Sequence, residues 1–486
     1  MPPESPMSAP SSAHVGSTTI PARLDRLPWS RWHWRVVIAL GVAWVLDGLE
    51  VTLVGSLGSV LERSDTLGLD AAQVGWTGSL YIAGTVLGAL LFGRLTDRLG
   101  RKRLFMLTLA LYMAATLATA FAQDFLFLAL CRFVTGLGIG GEYAAINSAI
   151  DELVPARVRG RVNLIINASF WIGAALGAGL SLVILDPRVL GAALGWRACF
   201  LLGAVLAVAI LLVRRHVPES PRWLLMHGHH EKAEQVVREI ETQVAAEHGP
   251  LPAPLPADTS PAASTGTGML PWREMAQVLL HRYRQRSLMV ALMMVAQAFV
   301  YNAIFFTYAL VLTRFFQVPD HRVALYIFPF ALGNVLGPLV LGHLFDSIGR
   351  RRMIAATYLL SGAGLAATAW AFQAGLLDAL GLALCWSAVF FVASAAASSA
   401  YLTASEVFPL RMRAMAISIF YAIGTGVGGF IAPLLLGWLI ASGDRHAVAA
   451  GYALGACLAL LAGACALRWA VDAERRTLED VAEWKD

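Results

Sequence analysis

Among the ionisable side chains inside the long apolar stretches of this sequence, Asp47, Glu50 and Arg132 are expected at similar depth. Asp47 and Glu50 are three positions apart, so they project from one face of a helix. An ionisable group at the centre of a bilayer costs at least about 2.5–3.5 kcal/mol, which makes it a functional candidate. A buried carboxylate beside a guanidinium can gain or lose a proton when its surroundings change. The three residues therefore predict a proton-binding site, and the alternative is a static buried salt bridge.

The helical rise of about 1.5 Å per residue places these three side chains at similar depth. Counted from the start of the first apolar stretch at position 35, Asp47 lies at about 18 Å and Glu50 at about 22 Å. The stretch that contains Arg132 runs in the opposite direction, and Arg132 lies about 10 Å below the other surface. A buried guanidinium requires a carboxylate, and two are available. We predict one proton-coupling group in which Glu50 or Asp47 binds the proton and Arg132 is the gate.

The elements that position these residues are predicted to be membrane-spanning helices. Hydrophobic residues make up 57% of the 486 residues and charged residues 14%, which is too little charge to cover a soluble protein of this length. A span requires roughly 20 mostly apolar residues. Twelve such stretches are predicted at 35–57, 73–93, 104–122, 125–149, 161–184, 196–214, 288–312, 322–344, 353–373, 378–402, 412–438 and 447–470.

The predicted spans divide the chain into five parts. These are a disordered cytoplasmic N-terminus (1–32), a six-helix bundle (33–214), a polar insert (215–287), a second six-helix bundle (288–472) and a cytoplasmic tail (473–486). Within the insert, residues 216–248 are predicted to be helical and the Pro/Ala/Ser/Thr-rich residues 249–268 to form a flexible linker. Lys and Arg cluster after even-numbered spans. The positive-inside rule then predicts that both termini and the insert are cytoplasmic.

Two loop motifs occur twice. The segment GRLTDRLGRKR at 93–103 recurs as GHLFDSIGRRR at 342–352, and E-x-x-P-x-R-x-R at 152–159 recurs at 406–413. Both pairs follow even-numbered spans and are separated by nearly the same distance along the chain. Two six-span halves in the same orientation account for this recurrence.

The loop motif after the second span resembles the signature of the major facilitator superfamily. The segments RFVTGLGIGGE at 132–142, GWR at 195–197 and PESPRW at 218–223 are similar to its sugar-porter-like branch. That branch also contains carriers of aromatic acids, niacin and other organic ions. The resemblance implies an all-α membrane protein with twelve transmembrane helices in two pseudo-symmetric six-helix bundles. In its proton-coupled members an acid of span one faces the arginine of span four; Glu50 occupies that acidic position, and Asp47 matches an additional one in aromatic-acid carriers.

The resemblance also implies that the cytoplasmic loops tie helices together and stabilise the state closed to the cytoplasm. A carboxylate beside clustered guanidinium groups can accept charge-assisted hydrogen bonds and cap a helix. The predicted gating network consists of Gly93, Asp97, Arg101, Glu142, Glu152, Arg159, Asp346, Arg350, Glu406 and Arg413. For the basic residues the alternative is that they only set membrane topology. Glu142 is consistent with either the network or the cavity lining.

Substrate is expected near the midplane between the halves. The predicted lining residues are polar or aromatic: Asn163, Asn167, Trp171, Gln297, Tyr301, Asn302, Asn334, Trp386 and Tyr421. Each aromatic side chain in this set has core packing as its alternative. A single glutamine precedes the Tyr-Asn pair in span seven, where sugar porters have two, which weakens a hexose assignment.

The sequence therefore predicts a secondary active transporter of a small organic carboxylate, an aromatic acid or a sugar-like molecule, coupled to protons by symport. The alternatives are a passive uniporter of a sugar or polyol and a transporter-like nutrient receptor. We expect no enzyme activity, catalytic residue, metal site or cofactor, because no nucleophile–base or metal-ligand spacing stands out. The expected partners are the substrate, the proton and the lipid of the cell (inner) membrane. We expect a monomer that does not bind nucleic acid.

Overall fold

The computed structural model describes residues 19–214, 219–252, 277–408 and 413–471. Every regular element in these ranges is helical, which confirms the predicted all-α class. For some residues inside these helices, among them most of 143–168, the backbone alone is described.

Nine helices lie among the described residues from 19 to 252. They are α1 (Thr19–Asp25), α2 (Arg31–Leu61), α3 (Ala71–Leu99), α4 (Arg101–Thr119), α5 (Phe125–Leu153), α6 (Ala156–Ile184), α7 (Gly191–Arg214), α8 (Pro221–Met226) and α9 (His230–His248). Helices α2 to α7 correspond to the first six predicted spans, and we call them the N-terminal half.

The C-terminal half begins with a π-helical turn at Val278–Arg282. Its helices are α10 (Arg284–Phe305), α11 (Tyr308–Phe316), α12 (Asp320–Val323), α13 (Ile327–Leu341), α14 (Leu344–Ser347), α15 (Arg350–Gln373), α16 (Ala379–Glu406), α17 (Arg413–Ile423), α18 (Phe430–Ala441) and α19 (Arg445–Trp469). A second π-helical turn, Gly424–Gly429, joins α17 to α18.

The predicted spans agree with long apolar helices. Ten helices among the described residues are long and apolar enough to cross a membrane. The remaining two predicted spans correspond to α4, which starts with three basic residues, and α6, whose described apolar stretch is Ser169–Ile184. Large apolar side chains such as Leu126 and Leu339 are 67% and 72% exposed on the outside of the bundle. An apolar exterior of this kind suits lipid and not water.

Four predicted helices are interrupted, and one of them is span eight, which comprises α12, a 3₁₀ turn at Ala324–Tyr326 and α13. Span seven is divided into α10 and α11 at Phe306 and Thr307, and span eleven is divided by the glycine-rich π-helical turn. The first part of the insert is two helices, because Gly228 with a φ of +77° ends α8. Glycine is a weak helix former, so both glycine-containing breaks have a local cause. The break at Phe306 has no such signal in the sequence.

Glycines allow neighbouring helices of one half to pack with their backbones in contact. A Cβ on Gly136 would overlap the carbonyl oxygen of Tyr81, and a Cβ on Gly140 would overlap that of Thr85. Small residues at a helix interface permit this approach inside a membrane. Contact between α3 and α5 therefore fixes how both helices are rotated about their axes.

The two halves meet closely on one side of the molecule. We call the side that carries α1, α8 and α9 the insert face, and the opposite side the far face. Near the far face, Ser79 of α3 donates a 2.6 Å hydrogen bond to the carbonyl oxygen of Phe430 of α18. A Cβ on Gly75 would lie only 2.5 Å from the carbonyl oxygen of Pro433. Helix α2 packs on α11 there as well. The interface is therefore closed toward the far face.

Two ion pairs join the halves at the surface of the far face. Arg314 lies 3.6 Å from Glu62, and Arg63 lies 3.4 Å from Asp320. All four side chains are partly exposed to solvent, so each pair is worth little by itself. Their positions show that the end of α2 and the region around α11 and α12 approach each other in this conformation.

Helices α1 and α9 cover the insert face of the N-terminal half. Helix α9 buries one apolar side formed by Ala233, Val237, Ile240 and Val244, at the spacing of an amphipathic helix. These residues share a core with α1, α8 and the ends of the membrane helices. Arg23 of α1 completes the contact.

Arg23 holds α1 to α9 through two carboxylates. Its guanidinium lies 2.7 Å from Glu234 and 2.6 Å from Glu241, and Arg26 also lies 2.6 Å from Glu241. The hydrogen bond from Arg23 lowers the pKa of Glu241 below its usual value. The docked state therefore favours the ionised carboxylate, and protonation weakens docking.

Replacing Gly140 with Ala is expected to lower the free energy of unfolding by about 1–3 kcal/mol, because the new methyl group overlaps the backbone of α3. The melting temperature in detergent micelles measures the loss. Gly179→Ala is the matched control, since a Cβ there meets nothing within 4 Å. Equal melting temperatures for the two variants would contradict the packing described here.

Docking of α1 is expected to depend on pH. The contribution of Glu241 is present in full above its ordinary pKa of 4.5 and is lost as the pH falls through the lowered value. Hydrogen exchange of residues 19–25, corrected for its intrinsic pH dependence, should therefore accelerate in acid. Arg23→Gln should accelerate it already at neutral pH, whereas Arg31→Gln, which removes an exposed charge of α2, should not. Unchanged protection in Arg23→Gln would refute this account.

Candidate functional site

Helix α2 carries both intramembrane acids, and its contact with α6 sets their direction. A Cβ on Gly48 would overlap the carbonyl oxygen of Phe170, and a Cβ on Gly173 would overlap that of Val45. Because Gly48 lies next to Asp47, this close contact turns the opposite side of α2 toward α3, α4 and α5. Contact between the backbones of α2 and α6 therefore fixes the direction of the acids, and such a contact is more rigid than one between side chains.

Glu50 and Arg132 form a fully buried ion pair. The Nη1 of Arg132 lies 2.6 Å from Oε1 of Glu50, and each side chain is 1% exposed. The hydroxyl of Thr116 lies 3.5 Å from both carboxylate oxygens. The structure thus brings the predicted guanidinium and one of its two candidate acids together, and Glu50 is that acid.

Asp47 is connected to this pair through Tyr81 of α3. The hydroxyl of Tyr81 donates a 3.0 Å hydrogen bond to Oδ1 of Asp47. The guanidinium carbon of Arg132 lies 4.6 Å from the centre of the Tyr81 ring, in a cation–π contact. Asp47, Tyr81, Arg132 and Glu50 therefore form a continuous group, which we call the ionic cluster.

The ionic cluster reaches the interface between the halves at Asp47. Tyr81, which is hydrogen-bonded to Asp47, has its ring centre 6.0 Å from that of Phe306 in the opposite half. Asp47 is 8% exposed, whereas Glu50 is 1% exposed. Of the two acids, Asp47 therefore has the greater access to the space in which a substrate between the halves would lie.

Aromatic and amide side chains of the C-terminal half lie at the same interface. The hydroxyl of Tyr301 donates a 2.6 Å hydrogen bond to Oδ1 of Asn334, which is itself held by the carbonyl oxygen of Phe330. Trp171 of the N-terminal half lies 6.4 Å from the Tyr301 ring. These contacts bring three of the predicted lining residues together. A tryptophan, a tyrosine and an amide in this arrangement can stack on a ring and hydrogen-bond to its substituents.

Gln297 and Asn302, on either side of Tyr301 along α10, differ in their contacts. Gln297 lies within hydrogen-bonding reach of the Tyr401 hydroxyl, and the Tyr401 ring lies 6.3 Å from that of Tyr421. The Asn302 amide donates to the carbonyl oxygen of Ala298 in its own helix. Gln297 is thus joined to the aromatic group, whereas Asn302 bonds to its own backbone.

Trp386 does not lie where the sequence repeat predicts it, near the cavity. It was predicted near the cavity because it is related to Arg132 by the repeat. Its ring is completely buried and packs against Phe330 and Tyr452, both in the C-terminal half. The repeat does place Arg132 and Trp386 at equivalent depths, but each lies in the interior of its own half. Trp386 is therefore core packing, the alternative noted for it.

Several predicted residues lie outside what the structure describes. Among the lining residues, the side chains of Asn163 and Asn167 are not described. The same holds for eight residues of the predicted gating network: Gly93, Asp97, Arg101, Glu152, Arg159, Asp346, Glu406 and Arg413. Their roles stay predictions. Of the remaining two, Glu142 is buried, and Arg350 is half-buried at the start of α15.

The loop motif is connected to the insert by Glu219. Both carboxylate oxygens of Glu219 lie 3.2–3.3 Å from the backbone nitrogen of Lys102, in the first turn of α4. Gly100 precedes this turn with a φ of +90°, a conformation that favours glycine. Gly349, its counterpart in the second copy of the motif, has a φ of +113°. The two copies therefore share their backbone geometry as well as their sequence.

Tyr81, Thr116 and the role of Glu219 were not predicted from the sequence. Tyr81 and Thr116 stand in apolar runs without any motif, and only the packing of α3 and α4 brings them to the acids. Glu219 was recognised as part of a family motif, but its contact with the first turn of α4 joins residues far apart in the sequence and has no local signal.

The chain matches a known family over most of its length. Residues 52–483 match the family described as "Sugar (and other) transporter". The chain belongs to this family. Members of the sugar (and other) transporter family are membrane transporters, so this protein is a transporter of small organic molecules and not an enzyme.

Two relatives within this family illustrate its range. The niacin transporter NiaP of Acinetobacter baylyi is 28% identical over 425 residues, covering 87% of this chain and 91% of that protein. The 4-hydroxybenzoate transporter PcaK of the same organism is 29% identical over 225 residues, covering 46% of this chain and 47% of that protein.

A solved structure, the crystal structure of the D-xylose-proton symporter, has a TM-score of 0.70 and 18% identity, covering 92% of this chain and 100% of that one. This similarity shows the fold, which confirms the predicted major facilitator architecture.

The buried pair gives a testable prediction about stability. Glu50→Leu leaves the Arg132 guanidinium buried without a carboxylate and should destabilise the protein by about 3–5 kcal/mol. The double variant Glu50→Leu/Arg132→Met removes both charges and should recover most of the lost melting temperature. A double variant that melts no higher than Glu50→Leu would show that the pair is not the energetic unit described here.

Proposed function

We propose that this protein is a proton symporter for a small organic carboxylate, with an aromatic acid as its preferred substrate class. The observation that carries the proposal is that the two acids of the ionic cluster have different surroundings. Glu50 neutralises Arg132 away from solvent, while Asp47 reaches the interface between the halves. One acid is then structural and the other is available to exchange a proton.

Electrostatics links the proton to the substrate. An anionic substrate that binds beside an ionised Asp47 experiences like-charge repulsion in a medium of low dielectric constant. Protonation of Asp47 removes this repulsion, so substrate and proton favour each other's binding. A proton gradient alone then drives accumulation, with no cofactor.

The aromatic and amide residues support an aromatic substrate. The ring centres of Trp171 and Tyr301 lie 6.4 Å apart across the interface, and the amide of Asn334 is hydrogen-bonded to Tyr301. Arg132 is 1% exposed and its charge is neutralised by Glu50, so recognition of a carboxylate falls to neutral donors. The printed functions of the two relatives, niacin and 4-hydroxybenzoate transport, are consistent with this class.

The proposed topology places the insert face in the cytoplasm. Lys and Arg cluster in the loops on that side, as the positive-inside rule requires. The conformation described here is closed toward the far face, so in this state we assign access to the cytoplasmic side. Transport by alternating access then requires the far-face contacts to open. We propose that the protein works as a monomer in the cell membrane.

Proteoliposomes with an imposed pH gradient test the proposal, with nicotinate and 4-hydroxybenzoate as probes. The wild-type protein should accumulate one of them, and pyranine inside the vesicles should report acidification that depends on the substrate. Asp47→Asn should abolish pH-driven accumulation and retain exchange of labelled for unlabelled substrate. Asp124→Asn, a substitution at an exposed helix start, is the matched control and should transport normally.

Two outcomes would overturn the proposal. Equilibration of the substrate without acidification would identify a uniporter. Transport of xylose but of neither aromatic acid would assign the protein to sugars.

A further inference from the structure

We propose that Tyr81 is the positioning residue that holds Asp47 to the Glu50–Arg132 pair and ties the state of Asp47 to closure of the far face. This inference rests on the proposed proton symport. It is carried by three separate contacts of one side chain, made by its hydroxyl, its ring face and its ring edge.

The hydroxyl of Tyr81 acts on Asp47. It donates a hydrogen bond of 3.0 Å to Oδ1, inside a region where Asp47 has little access to water. A hydrogen bond to a charged acceptor is stronger than one between neutral groups. This bond therefore favours the ionised carboxylate, and a tyrosine that turned away would favour proton uptake.

The ring face of Tyr81 acts on Arg132. Among the described residues, Nε and Nη2 of Arg132 find no hydrogen-bond acceptor, and only Nη1 is paired. A buried guanidinium with unpaired N–H groups is costly. The Tyr81 ring, 4.6 Å away, supplies the compensating negative face. Arg132 and Asp47 are therefore positioned by the same side chain.

The outer part of the Tyr81 ring contacts the opposite half. The ring centre lies 6.0 Å from that of Phe306, at the break between α10 and α11. A Cβ on Gly78, one turn away on α3, would lie 3.1 Å from the same phenylalanine. Opening of the far face separates α3 from Phe306, so it removes the contact that holds the Tyr81 ring. The hydroxyl can then leave Asp47.

The other charged and titratable groups around Tyr81 and Asp47 come from four helices. Glu50 shares α2, Arg132 lies on α5, Tyr112 on α4 and Tyr421 on α17. Of these, Glu50 and Arg132 neutralise each other, and neither tyrosine ionises in the neutral range. Among them Tyr81 is the neighbour with a described hydrogen bond to Asp47.

Infrared difference spectroscopy measures the protonation of Asp47 without transport. The carboxylic C=O band that disappears in Asp47→Asn belongs to Asp47, and its intensity is followed as the pH is changed. Tyr81→Phe keeps the ring and removes the hydroxyl. It should move the midpoint of this band to higher pH by about one unit, because the ionised form loses a charge-assisted hydrogen bond. Tyr81→Leu should shift it at least as far and also lower the melting temperature.

The control is Tyr452→Phe, which removes a buried hydroxyl that has no hydrogen-bond partner among the described residues. It should leave the midpoint unchanged. The measurement is made with the far face locked by a disulfide between Gly58→Cys and Leu310→Cys, with the native cysteines replaced. A Cβ on Gly58 would lie 3.5 Å from Cγ of Leu310, so the pair is close enough to lock. Every molecule then has the geometry described here.

The outcomes separate this inference from the proposed function. A midpoint in Tyr81→Phe within about 0.3 units of the wild type, or the absence of any Asp47 band between about pH 4 and 9, overturns the role of Tyr81. If the midpoint shifts but wild-type vesicles show no proton-coupled uptake, the link between Tyr81 and Asp47 stands and the symport proposal fails. If uptake is coupled to protons and the midpoint does not shift, the symport proposal stands and the role of Tyr81 fails.

Discussion

The cost of placing charge inside a membrane governs this structure. Arg132 stays charged at any physiological pH, so a carboxylate must accompany it, and Glu50 lies 2.6 Å away. Once these two charges cancel, the remaining acid, Asp47, is the one whose charge can change without leaving a buried guanidinium unpaired. The glycine contacts of α2 with α6 and of α3 with α5 follow from the same need. They fix the positions of α2, α3 and α5, so that Glu50, Tyr81 and Arg132 meet.

The two halves share the backbone geometry of their repeated loop motif but differ in their interior side chains. The loop glycines Gly100 and Gly349 have the same positive-φ conformation, which preserves the ancestral repeat. In the interior, however, the arginine of one half corresponds to a fully buried tryptophan in the other. Where the N-terminal half buries the Glu50–Arg132 ion pair, the C-terminal half therefore holds aromatic rings and amides. A substrate between them would meet a proton-dependent surface on one side and a stacking surface on the other.

Much of the fold could be predicted from the sequence, because hydropathy and the positive-inside pattern are local properties. The first predicted span, 35–57, lies within α2 (Arg31–Leu61), and the last, 447–470, agrees with α19 to within two residues. The break between α10 and α11 was not predictable, because Phe306 and Thr307 fit an apolar helix equally well. It lies where the chain packs against α2 at the closed far face, so it depends on tertiary packing and not on the local sequence.

By itself, the sequence determined that charged groups lie at membrane depth, that the chain repeats and which family it belongs to. These conclusions depend only on residue type and spacing. Tertiary structure decided which acid pairs with Arg132, since Asp47 and Glu50 share one helix face and depth alone cannot separate them. It also decided that Tyr81 joins the acids, because that contact depends on how closely α3 approaches α2 and α5. A helix places its side chains by its periodicity, but only packing between helices determines which of them meet.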